Sequence, residues 1–157
     1  MNPRQLRRLV IRPVLELLEA DSAGAENLLL GTAAQESRMG EYIKQIHGPA
    51  RGIYQMEYDT HEYVWEWLMR EEHAQLARQV RVTIGGVGSL WNYLAGNLYY
   101  ATAMARVRYL MDPVPIPSGR NIPALGKYWK RVWNTHAGKG TVKQFVTNWD
   151  QLVKGRK

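Results

Sequence analysis

No cysteine occurs among the 157 residues, which excludes a disulfide framework and a thiolate metal centre. Long apolar runs are missing too, and nothing approaches the ~18 apolar residues of a membrane span. The basic start with Arg4, Arg7 and Arg8 reaches Arg12, Pro13 and Glu16 before any apolar core of the roughly 7–15 residues a secretory signal needs. The chain is therefore expected to be made in the cytoplasm without a signal peptide. Its four histidines, His47, His61, His73 and His136, form neither an i, i+4 pair nor a His-Glu-x-x-His run, so no metal and no other cofactor is expected. The run Gly85-Gly86-Val87-Gly88-Ser89 lacks the Lys-Ser/Thr of a phosphate loop and follows no clear strand. It reads as a hinge or a cleft-lining loop. Repeats and low-complexity segments are absent, and strand signals nearly so.

What remains is an ordinary globular composition, 45% hydrophobic and 22% charged. The length suits a single domain over residues 1–157, with 1–22 as a helical lead-in. Helical spacing is expected over 4–20, where Pro13 kinks or restarts the helix, and over 25–37 after a cap at Asp21-Ser22. Further helices are expected at about 61–69, capped by Asp59 or Thr60, and at 71–82, 90–111, 124–135 and 140–153. Residues 38–56 hold Gly40, Gly48, Pro49 and Gly52 and read as a loop with a short strand or β-hairpin; 112–123 is a proline-rich surface loop. The fold class is mainly α.

The net charge of +7 and pI of about 9.8 favour a polyanionic partner through attraction that salt weakens. Nucleic acid, anionic lipid and bacterial wall polymers all qualify. Nucleic-acid binding would want the cations gathered on one face, whereas they look dispersed. A helix-turn-helix over 97–135 fails on the long proline-rich connection.

Two short runs carry more. Glu36 closes the apolar stretch Leu28-Leu29-Leu30-Gly31-Thr32-Ala33-Ala34 as part of Gln35-Glu36-Ser37, and Gln55 closes Ala50-Arg51-Gly52-Ile53-Tyr54-Gln55. A carboxyl buried in an apolar wall is held protonated and suits general-acid work; alone, it reads as a solvated helix-end glutamate. The Ser37 hydroxyl is placed to bond that carboxylate or to cap a carbonyl of the helix end. Gly52 lets the backbone pass close to a ligand, and the Gln55 amide offers a donor and an acceptor. Tyr54 adds an aromatic face. Trp65, Trp67, Trp91, Trp129, Trp133 and Trp149 mostly fall at helical spacing and read as core.

The two runs resemble the first two motifs of the soluble lytic transglycosylases and goose-type lysozymes. There a Glu-Ser pair ends a buried helix and Ala-x-Gly-Leu-Met-Gln follows; Arg51 departs from the small or polar residue usual before the glycine. Tyr99-Tyr100-Ala101-Thr102 through Tyr109-Leu110 is similar to the third motif, with Thr102 in the usual place of Asn. Trp133-Asn134-Thr135-His136-Ala137-Gly138 is similar to the fourth, with Trp133 where the family has a Tyr whose hydroxyl touches the acid. Tyr128, Tyr99 or Tyr100 would then supply that hydroxyl.

The resemblance implies a lysozyme-like domain of bacteriophage type that cleaves the glycan strands of peptidoglycan between N-acetylmuramic acid and N-acetylglucosamine. Glu36 would be the catalytic acid with Ser37 orienting it, and Gly52, Tyr54, Gln55, Tyr100 and Asn134 would line the sugar site. Glu41, Glu57 and Asp59 flank the implied cleft as candidates for a second carboxylate, although the single-acid transglycosylase route is preferred. Such a protein would act on the cell wall in the periplasm, as a lysin or carried in a virion beside other virion proteins. The competing classes are a non-catalytic virion or assembly protein on the same fold and a nucleic-acid-binding helical protein.

Overall fold

The structure, a computed structural model, describes residues 1–85 and 88–155. Gly86 and Val87 of the expected hinge, and the terminal Arg156 and Lys157, lie outside the described residues. The architecture is mainly α.

Helix α1 (Pro3–Leu6) passes through a π-helical turn (Arg7–Ile11) into α2 (Arg12–Leu17). Pro13 explains the wide turn: it has no N–H for the carbonyl of Leu9 and its ring crowds that turn. The Leu9 carbonyl instead accepts from the Tyr99 hydroxyl at 3.1 Å. The lead-in is therefore packed against the body rather than appended to it. Arg7 and Arg12 both reach Glu26, at 3.4 and 2.8 Å.

Helix α3 (Ala23–Ser37) starts where Ser22 accepts from the Ala25 N–H. It is apolar all round, as a helix at the centre of a core must be: Leu28, Leu29, Leu30, Ala33 and Ala34 are all fully buried. Gly31 is required there, because a Cβ would stand 2.1 Å from the ring of Phe145. Helices α7 (Leu98–Leu110), α8 (Ile122–Trp129) and α9 (Val142–Asn148) pack around α3. Outside them lie α4 (Tyr58–Leu68), α5 (Ala74–Val82) and α6 (Leu90–Gly96).

Two boundaries differ from the sequence expectation. The stretch 90–111 is two helices, since Asn97 leaves helical geometry and its side chain accepts from the Tyr100 N–H, a local N-cap stronger than apolar periodicity. Helix α4 begins at Tyr58 with Glu57 before it and no side-chain cap, so neither Asp59 nor Thr60 caps it. The expected hairpin in 38–56 is reduced to two isolated antiparallel bridges, Lys44–Arg51 and Arg51–Met56; no strand forms among the described residues.

Candidate active site

The C-terminal end of α3 delivers Gln35 and Glu36 to the floor of an open cleft of about 620 Å³. One wall is the chain following α8, where a π-helical turn (Lys130–Asn134) carries Trp133 and Asn134 into the cleft lining, continued by Lys139 and Gly140. The other wall is the bridged loop: Tyr42, Gln45, His47, Ala50, Gln55 and Glu57 line it.

Glu36 is the electrostatic centre. Desolvation among apolar neighbours pushes its pKa up to about 7, and a hydrogen bond from the Trp129 indole N–H opposes that rise. That bond is 2.9 Å long and ends on Oε1. The carboxyl therefore remains substantially protonated near neutrality while bordering an open cleft, the state a general acid needs. Trp129 itself is fully buried and lies 5.4 Å, ring to ring, from Phe145, so its N–H is held rigidly. The π-helical turn that follows closes its hydrogen bonds from i to i+5 and so holds more residues per turn than an α-helix, and Trp129 meets Glu36 while Trp133 and Asn134 line the same cleft.

Gln55 occupies the opposite wall in an unusual state. Its backbone is left-handed, at φ +49°, a conformation rare outside glycine, asparagine and aspartate. Its Nε2 donates to the Gly52 carbonyl at 2.7 Å, and its Oε1 is buried with no partner among the described residues. A buried amide oxygen without a donor is costly in a native protein, and the residue that carries it lines the cleft. Across the cleft, Asn134 accepts from Lys130 Nζ at 2.6 Å through Oδ1, and its Nδ2 makes no hydrogen bond among the described residues.

Of the residues singled out in the sequence, Glu36, Gln55 and Asn134 converge on the cleft. Four others do not line it. Ser37 is buried; its hydroxyl donates to the Ile53 carbonyl at 2.6 Å and accepts from the Gly40 N–H at 2.8 Å. It caps the helix end and fastens the loop wall to α3, and orients Glu36 only through that backbone. Gly52 serves the fold: it sits at φ +79°, and a Cβ would meet the Leu94 carbonyl oxygen at 2.2 Å. Tyr54 is 1% exposed and its hydroxyl pairs with Thr102 Oγ1 at 3.0 Å; burial pushes that phenol up. Tyr100 is fully buried and bonds His61 Nε2 and Trp65 Nε1, each at 2.8 Å.

The three carboxylates that flank the implied cleft also separate. Glu57 lines it, Glu41 pairs with Arg38 at 2.9 Å on the surface, and Asp59 is exposed in the first turn of α4. Sequence reasoning missed Trp129 as the partner of the acid and placed it in the core. The available signal was spacing: Trp129, Trp133 and Asn134 are i, i+4 and i+5, one face of a π-helical turn. No protein-family model, curated protein or solved structure matches the chain.

Proposed function

We propose that this protein cleaves the glycan strand of peptidoglycan at the β-1,4 bond between N-acetylmuramic acid and N-acetylglucosamine, as a lytic transglycosylase with one acid. The observation that carries the reading is Glu36, a carboxyl held near pKa 7 at the floor of a cleft with amide groups on both walls. The Glu36 proton passes to the glycosidic oxygen as its bond to the muramyl C1 breaks. The acetamido oxygen of the same sugar stabilises the cation at C1. Glu36, now a carboxylate, takes the proton of the sugar's 6-hydroxyl, whose oxygen bonds to C1 and yields the 1,6-anhydro product without water. The Gln55 side chain lines the sugar site, and Asn134 Nδ2 is suited to donate to a carbonyl. The net charge of +7 favours retention on an anionic wall. A lysozyme-like fold, a phage origin and delivery to the periplasm by a lysis system or a virion belong to the same proposal.

Hydrolysis is the second reading, favoured by one observation: Glu57 lines the same cleft as Glu36, and a second carboxylate is what an inverting or retaining hydrolase requires. Mass spectrometry of muropeptides released from purified sacculi separates the two. Anhydro-muramyl products made by the wild type, and by Glu57→Gln, but not by Glu36→Gln, are expected. Reducing-end products lost in Glu57→Gln would instead establish hydrolysis. No release by wild-type protein at any ionic strength would leave a virion or assembly role, or nucleic-acid binding, as the better reading.

A further inference from the structure

The loop wall has a second face. Gln45 and Ala50 line the cleft, whereas their neighbours Lys44 and Arg51 do not, and the Arg51 guanidinium lies over Trp91 of α6 instead. The two are opposed across an antiparallel bridge. Its flanking bonds, Gly52 N–H to the Ile43 carbonyl and Gln45 N–H to the Ala50 carbonyl, make it the closer, non-hydrogen-bonded kind of pair, with Cβ atoms about 4.5–5.5 Å apart. Like charges directly opposite one another are unfavourable. No carboxylate among the described residues relieves them: neither side chain has an ion pair, and the nearby acid Glu41 is taken by Arg38.

Arg51 is also held in place. Its backbone is hydrogen-bonded in both directions to Met56, at 2.9 and 3.0 Å. Its guanidinium lies over the Trp91 ring, 5.3 Å from the centroid, and Nη1 donates to Asn92 Oδ1. Stacking and one hydrogen bond orient the planar fork, and the rest of it has no hydrogen-bond partner among the described residues. A pre-oriented guanidinium with a lysine opposite it across a bridge, and no ion pair to either among the described residues, is how a protein builds a receptor for an oxyanion.

We propose that Lys44 and Arg51 form an oxyanion subsite on the face of the loop wall away from the cleft. Resting on the glycan reading above, its ligand is a carboxylate on the peptide arm of the wall strand whose sugars lie in the cleft. Arg51 departs from the sequence pattern that the neighbouring Gly52 and Gln55 resemble, so the subsite would distinguish this chain from proteins that share that pattern.

Two measurements decide it. In the first, the Arg51 Nε–Hε resonance is followed by NMR while acetate or inorganic phosphate is added. A saturable shift is expected, with affinity reduced about fivefold in Lys44→Gln; no saturable shift with either anion overturns the subsite. In the second, Glu36→Gln protein, which leaves the wall intact, is sedimented with sacculi. Adding Lys44→Gln and Arg51→Gln is expected to weaken binding about tenfold on peptide-bearing sacculi and not on peptide-free glycan strands. A loss that instead follows phosphate-bearing wall polymer assigns the anion to phosphate and overturns the peptide source. If Glu36→Gln protein binds no wall preparation, the glycan reading falls while the resonance shift still decides the subsite. Retained far-UV circular dichroism and thermal midpoint separate lost binding from lost folding.

Discussion

Glu36 and His61 are both titratable groups removed from water by the fold, and their surroundings differ in kind. His61 is saturated: Nδ1 meets Glu62 Oε1 at 2.9 Å, Nε2 meets the Tyr100 hydroxyl at 2.8 Å, and Trp65 donates to that same hydroxyl. A neutral imidazole that donates through Nδ1 and accepts through Nε2 satisfies every member of the chain. Burial pulls the His61 pKa down, opposed by Glu62. Glu36 has one side-chain partner among the described residues, Trp129, and borders a cleft. A closed polar network stabilises a core; a desolvated acid with an open side is poised to give its proton to something else.

The contrast can be broken most sharply at Glu36. Glu36→Gln keeps the shape and removes the proton source, so wall-lytic activity should fall by about 10²–10⁴-fold, measured as dye release from labelled sacculi. Full activity in a folded Glu36→Gln protein would make Glu36 no more functional than His61.

The same substitution should alter stability in a pH-dependent way. Glu36 holds its proton more tightly in the fold, at about 7, than at its ordinary value of 4.5. The folded state therefore binds more protons between those values. Its contribution is complete below about pH 4.5 and is lost as pH rises through about 7. Between pH 4 and pH 8 the wild type should lose about 3 kcal/mol more stability than Glu36→Gln, read from urea unfolding at both pH values.

Tyr100→Phe tests the closed network. It strips the shared hydroxyl from His61 and Trp65 and should cost about 1–3 kcal/mol of stability, while leaving KM for glycan unchanged because Tyr100 does not reach the cleft. A raised KM at unchanged stability would return Tyr100 to the sugar site. The smallest effect is expected from Trp129→Phe. The indole N–H favours the Glu36 carboxylate, so its loss should push the acid further up, and the high-pH limb of the rate profile should move upward by about one unit.

How much of this was legible in the chain differs from residue to residue. The central helix was plain, because Ser22 caps it and an unbroken apolar stretch leads to Glu36. The position of Gln55 beside the cleft followed only from the resemblance of its run to a known motif, since alone it reads as an ordinary polar surface residue. Ser37 caps the helix end, one of the two roles its hydroxyl offered, but its tie to Ile53, like the burial of Tyr54 and Tyr100, was hidden for a common reason. Each carries a hydroxyl that suits a sugar as well as it suits a buried partner, and no local pattern tells the two apart. Ile53, Thr102 and His61 are those partners, all distant along the chain. Trp129 was hidden by its own chemistry, since an aromatic at helical spacing reads as core, and it is core at every atom except the one that matters here.

Local sequence suffices for the mainly helical class, the Ser22 cap of the central helix, the apolar surroundings of Glu36 and the surplus of positive charge. These depend on neighbours within about a turn of helix, or on composition alone. Tertiary structure decided which amide lost its partner, which tryptophan met the acid and which of three carboxylates entered the cleft. It also set Lys44 against Arg51 with no acid between them. Those outcomes depend on which distant segments pack together, and a side chain's neighbours across a core are fixed by the whole fold rather than by its place in the chain.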